Sequence, residues 1–389
     1  MKSVKKLLAC FALALCVLLG SAGAAVAVDS RIENQPIAYV SEGEARVLMQ
    51  EMLISQIPSS NGQWTQETTV SDVLKLYDFD GNTNFYVFRL QTRQQPAGFI
   101  QVDANAGSPS VYAFAPDGNF PLDDIYLKKY NRKADSADQV ISTGHFSFLK
   151  RQKDGSFFDL ETDKAVEKTE QYLNKIYKAK KRQQASAAAS MGRQASQSQV
   201  SPMALTDSYT CAGADALPRF PTAQFASAYI ENYCSPAAGT ELINYWVRHW
   251  GKTGLWSGSS SDYLPSFQIM YAAMHTTTQG SYADEFLYAL RQYGKTRRMT
   301  PTSYRMQEEP NIELSFFKDN INQNIPLLIS LLGYDPNQPD YGHTLVAVGW
   351  QQHDGGRYNY LRLWDINRSG YYSINFDSAR ITHALSIAW

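Results

Sequence analysis

Gly342-His343-Thr344-Leu345-Val346-Ala347-Val348-Gly349-Trp350 is an apolar run between glycines with a histidine at its entrance. Its length and its β-branched residues predict a buried strand. Comparable runs flank it: Pro326–Leu332 before, then Tyr358–Trp364, Tyr371–Phe376 and Ile381–Trp389, parted by short polar stretches. Upstream the period changes. Helical spacing follows Cys234 and recurs near Leu264–Met274, Tyr282–Tyr293 and Ile312–Asn322. Helices followed by strands on short turns predict an α+β domain with a largely antiparallel sheet over residues 204–389.

Residues 28–177 read as a smaller α+β domain. Ser41, with Glu44 three positions on and Ala45, Leu48, Met49 and Met52 at helical spacing, is a capping box opening a helix. Phe85–Leu90, Gly98–Val102 and Val111–Phe114 are strand-like, and Val166, Leu173 and Ile176 suggest a closing helix. Asp78-x-Asp80-x-Asn82 has the opening spacing of a calcium loop, but Arg89 stands where the closing glutamate belongs, so a polar turn is expected.

Two further segments are of a different kind. In residues 178–203, Lys178, Lys180, Lys181 and Arg182 lead into an Ala/Ser/Gln-rich stretch with almost no large apolar side chain, which predicts a basic, protease-accessible linker. Residues 1–27 combine Lys2, Lys5 and Lys6 with an apolar run to Leu19 and then Ala25-Val26-Ala27. That is the pattern of a secretory signal peptide cleaved after Ala27, and the run is short for a spanning helix. The mature chain is therefore expected outside the cytoplasm and without stable membrane insertion. A net charge of −1 gives no reason to expect nucleic acid as a partner.

After signal removal two cysteines remain, Cys211 and Cys234. Cys234 precedes Ser235-Pro236-Ala237-Ala238 and a helical run, and Pro236 suits a first turn, so Cys234 is expected at a helix N-terminus. Unpaired N–H groups and the helix dipole there favour a thiolate, the form that attacks carbonyl carbon. Of six histidines, His343 is placed best to serve as base, at the start of a buried strand. His145 lies in the first domain, His353 in the polar turn Gln351–Gly356, His249 and His275 on or beside helices, and His383 in the last strand. The strand after His343 ends in Asp365, where a hairpin would set the carboxylate beside the imidazole and fix its tautomer. Taken singly, each residue also has a bland reading: a cystine half, a structural histidine, a turn aspartate.

Together, Cys-x-Pro-x-Ala at a helix start, Gly-His-x-x-Val-x-Val-Gly, and an aspartate ending the next strand resemble papain-like bacterial cysteine peptidases of the bacteriocin-processing type. Phe286–Gly294 and Ile325–Ile329 resemble the segments between cysteine and histidine in that group. Gly98–Val102 and Pro109–Phe114, with Tyr86-Val87-Phe88, are similar to the pro-region of streptopain-type peptidases. The resemblance implies a papain-like domain, a Cys234–His343–Asp365 triad, a peptide or protein substrate, no cofactor, and an N-terminal domain acting as an intramolecular inhibitor. It departs at Ser235, where the family commonly has glycine, and in lacking a glutamine close upstream of the cysteine. Gln224 or Asn232 would have to supply the oxyanion donor in its place.

Two alternatives stay open on sequence alone. The same triad could pass the acyl group to an amine and act as an acyl or peptidyl transferase. Alternatively, an exported binding module on a degenerate peptidase fold would pair Cys211 with Cys234 in a disulfide. No zinc-ligand spacing is present among the histidines and carboxylates.

Overall fold

A computed structural model describes residues 39–104, 110–144, 146–161, 163, 165–166, 203–216, 233–259, 261–277, 281–332, 342–365 and 371–389. It is a mixed α/β structure with one large, mostly antiparallel sheet and several helices. The first part contributes α1 (Glu42–Gln56), β1 (Thr68–Tyr77), β2 (Thr83–Thr92), β3 (Gln95–Asp103), β4 (Ser110–Ala115) and α2 (Pro121–Tyr130). The short strands β5 (Val140–Gly144), β6 (Ser147–Arg151), β7 (Phe157–Asp159) and β8 (Ala165–Val166) follow. The second part begins with β9 (Leu205–Thr210) and the helices α3 (Cys234–Trp250), α4 (Leu264–Ala273) and α5 (Phe286–Thr296). It continues through β10 (Ser303–Glu308), α6 (Leu314–Ile321), β11 (Leu327–Leu332), β12 (Gly342–His353), β13 (Tyr358–Trp364), β14 (Tyr371–Asn375) and β15 (Ile381–Ala388).

Among the described residues the strand order is β10-β15-β11-β12-β13-β14-β4-β3-β2-β1-β5-β6-β7-β8, with β9 beside the far half of β12. The two parts of the chain therefore share a sheet. Ser373 pairs with Phe114 and Ile374 with Ala113 across the β14–β4 seam. Side chains cross it as well: Phe146 meets Tyr372 edge-on at 4.9 Å, Phe114 meets Tyr360 at 5.3 Å, and the buried Tyr360 hydroxyl donates to the Val111 carbonyl.

β2 to β4 read as continuous apolar runs because both of their faces are covered. Phe85, Val87, Phe99 and Tyr112 face one cluster, which continues into the second part through Tyr372 and α3. Tyr86, Phe88, Leu90, Ile100 and Val111 face the other, under Ala45, Met49 and Met52 of α1. The cap at Ser41 forms as expected, with the Ser41 N–H donating to Glu44 at 2.7 Å and the Glu44 N–H to Ser41 Oγ at 3.3 Å. The β2–β3 turn is Arg93-Gln94, both at positive φ, a tight reversal without the usual Asn or Gly.

Three expectations need correction. Val166 belongs to β8 and not to a helix, while 167–177 lie outside the described residues. Met203, assigned to the linker, is buried against the first part, with its sulfur beside the Tyr360 hydroxyl. His353 is no turn residue: it ends β12, fully buried, and the turn begins at Asp354. His353 Nδ1 donates to the Met203 carbonyl at 3.1 Å and its Nε2 accepts from Gln56 of α1 at 3.2 Å. Burial holds its pKa below the ordinary value, against the pull of the Met203 carbonyl, which fits the neutral ring that this pattern needs. The rest of 178–203 and all of 1–27 lie outside the described residues.

Gly98 sits at φ +77°, and a Cβ there would lie 1.9 Å from the Ala115 carbonyl oxygen, a backbone atom that cannot rotate away. Gly98→Ala is expected to cost about 3 kcal/mol or more, seen as a lower urea midpoint at unchanged slope. An unchanged midpoint would mean that the β3–β4 pair relaxes freely.

Candidate active site

Cys234 is the first residue of α3, as its proline spacing predicts, and no side chain caps the helix at Tyr233. The next twelve residues, Ser235 to Trp246, are all buried, so α3 is an internal helix packed on β12, β11 and α4. Gly239 permits the close approach to α4, since a Cβ there would meet Met274 Cε at 2.8 Å and Met270 Cγ at 3.1 Å. The sulfur is thus held by a rigid element at the edge of the core, half-buried.

His343 is the second residue of β12, paired with Leu331 of β11. On its other side β12 runs antiparallel to β13 with Val346 opposite Trp364, so Asp365, one residue further, comes level with the start of β12. His343 Nε2 lies 3.0 Å from Asp365 Oδ1, with the carboxylate wholly excluded from solvent and the imidazole 20% exposed. That bond leaves Nδ1 for the hydrogen bond between His343 and Cys234. The three residues singled out in the sequence, drawn from a helix start, a strand start and a strand end, therefore meet.

Their electrostatics follow from this contact. Burial by itself pushes the Cys234 thiol up, but the hydrogen bond and positive charge of His343, the Thr344 main-chain N–H and the Ser235 hydroxyl together bring it below its ordinary value. Burial likewise disfavours the His343 cation, yet the Asp365 charge and hydrogen bond, with the Cys234 sulfur, raise its pKa to about 10. Both shifts run in the direction that favours a thiolate–imidazolium pair. Cys211 is the contrast: buried, with its sulfur 3.8 Å from the Ile321 carbonyl, its thiol is pushed up to about 12. Both cysteines are free thiols.

The other described histidines lie elsewhere. His249 stacks on Tyr245 in the last turn of α3, His275 pairs with Glu285 at 3.3 Å, and His383 on β15 is 3.1 Å from Thr382 Oγ1. His145, Gln224 and Asn232 lie outside the described residues. The calcium-like stretch is a turn: Asp78 Oδ1 accepts from the Asp80 and Asn82 N–H groups at 2.9 Å, and its Oδ2 accepts from Tyr39 at 2.5 Å. No group of three metal-ligating side chains occurs among the described residues.

Sequence reasoning overlooked Thr344, Tyr233 and Glu161. Thr344 and Tyr233 are chain neighbours of the triad, and adjacency was the available signal. Glu161, just after β7, has no such signal: it comes from the first part of the chain, and its charge, after burial, helps raise the Tyr233 phenol to about 12. Compared with protein-family models and with curated proteins, the chain matches none.

Proposed function

We propose that the protein is an exported, papain-like cysteine peptidase, made with residues 28–177 as a pro-region, that hydrolyses peptide bonds through Cys234, His343 and Asp365. The observation that carries this reading is one contact chain: a cysteine at a helix N-terminus, hydrogen-bonded to a histidine whose other nitrogen meets a fully buried aspartate at 3.0 Å.

The Cys234 thiolate forms a bond to the scissile carbonyl carbon, and the displaced electron pair moves to oxygen. The Cys234 main-chain N–H, which at the first position of α3 has no intrahelical acceptor, is available to that oxyanion. Collapse breaks the C–N bond while the His343 imidazolium gives its proton to the leaving amine, producing a thioester. Neutral His343 then takes a proton from water, the hydroxide adds to the thioester, and release of the acid restores the thiolate–imidazolium pair. Asp365 keeps the ring oriented and supports its charge.

Alkylation of the two thiols tests the reading directly. At pH 7 Cys234 is expected to react with iodoacetamide at least about a hundredfold faster than Cys211, because its thiolate fraction is far larger. Its pH profile should rise with a midpoint below the ordinary thiol value of about 8.5. Peptide hydrolysis should show the same acid limb and a fall near pH 10, where His343 loses the proton that the leaving amine needs. Slow and equal labelling of both thiols would end the proposal.

A further inference from the structure

The residues that directly follow Cys234 and His343 are joined to each other. Ser235 Oγ lies 2.6 Å from Thr344 Oγ1, and both side chains are buried, at 3% and 2% exposure. Ser235 Oγ is also 4.0 Å from the Cys234 sulfur, and the Thr344 main-chain N–H donates to that sulfur. Two hydroxyls in contact share one hydrogen bond and leave one proton over, and when both are buried that proton needs another acceptor. If Thr344 donates to Ser235, the Ser235 proton is left facing the sulfur.

We propose that the Ser235–Thr344 hydroxyl pair is a positioning device that locks the start of α3 to the start of β12 and turns the Ser235 hydroxyl toward the Cys234 thiolate as a donor. This rests on the peptidase reading above. The clasp meets two needs at once. The Cys–His contact joins elements far apart in the chain, and a second buried bond one residue along fixes their separation and rotation. A half-buried thiolate also needs donors besides the imidazolium, and a hydroxyl oriented by its own partner supplies one without reorganisation. Of the charged groups at this site, His343 acts on the sulfur directly, while Asp365 and Glu161, the latter from the first part of the chain, act with the Cys234 sulfur on the neighbouring Tyr233 phenol. Burial disfavours the thiolate, so it draws on His343 and on neutral donors, of which the Ser235 hydroxyl is one.

The test is the pH profile of Cys234 alkylation in the full chain, located by peptide mapping with Cys211 as internal reference. The proteins are wild type, Ser235→Ala, Thr344→Val, Thr344→Ser and the double variant Ser235→Ala/Thr344→Val, each checked for cooperative unfolding. Ser235→Ala should raise the midpoint by about one pH unit, slowing alkylation about tenfold on the acid side. Thr344→Val should shift it the same way by less, Thr344→Ser should match wild type, and the double variant should match Ser235→Ala. A folded Ser235→Ala protein with the wild-type midpoint overturns the clasp while leaving the peptidase reading intact. Should Ser235→Ala not fold, an unshifted Thr344→Val protein overturns it equally. A wild-type midpoint at or above about 8.5 overturns the peptidase reading and the clasp with it.

Discussion

Cys234→Ala and His343→Ala should each reduce peptide hydrolysis by about 10⁴-fold or more, with the fold intact. The first removes the atom that bonds to the substrate. The second removes both the cation that holds the thiolate and the proton for the leaving amine, and combining the two should cost little beyond either alone, because they act as a unit. Asp365→Ala should retain more activity than either, and its alkaline limb should move down from about pH 10, since Asp365 is the largest influence raising the His343 pKa. Turnover surviving in Cys234→Ala would refute the assignment, and loss in His383→Ala with full activity in His343→Ala would move the base to β15.

A chain beginning at Met203, without residues 28–177, should hydrolyse small peptides about a hundredfold faster than the full mature chain. Adding 28–177 as a separate protein should suppress that rate. Two contacts and one electrostatic influence motivate this: the β4–β14 main-chain pairing, Phe146 against Tyr372, and the charge of Glu161 acting on Tyr233 beside the thiol. If 178–202 is the flexible connection its composition predicts, it would keep such a partner at roughly millimolar effective concentration, so weak intrinsic affinity would suffice for near-complete occupancy. The seam also sets a condition on release. Cutting within 178–203 leaves the shared strand pair and apolar clusters in place, so activity in the cut protein should grow only on dilution or further digestion. A folded Met203–Trp389 protein no more active than the full chain, and indifferent to added 28–177, would make the first part a permanent structural half of the molecule.

Much of the second part was legible from local pattern. The expected run 358–364 coincides with β13, and the runs near 312–322 and 326–332 contain α6 and β11. These elements declare themselves because an alternating or continuous apolar run, or a proline in a first turn, constrains its own neighbours in the chain. The capping box at Ser41 did so for the same reason. The edge strands did not: β10 is largely exposed and carries little apolar signal, and β9 owes its strand conformation to pairing with β12.

The sequence by itself determined which chemistry was available: one cysteine at a helix start, one histidine at the mouth of a buried strand, one aspartate at the end of the next. Those placements depend on spacing within a few residues, and the tertiary structure added the 3.0 Å His343–Asp365 contact that spacing only allowed. What only the tertiary structure decided depends on partners far away in the chain. His353 reads as a turn residue until Gln56 and Met203, 297 and 150 positions distant, arrive to satisfy both ring nitrogens. The Ser235–Thr344 bond spans 109 positions, and nothing in either local sequence announces it. The joining of two sheets into one at β4 and β14 is likewise invisible locally, because an unpaired strand edge presents the same N–H and C=O groups to solvent or to any other strand. Which edge is met, and by what, is settled by the side chains packed above and below the seam, here Phe146 on Tyr372 and Phe114 on Tyr360.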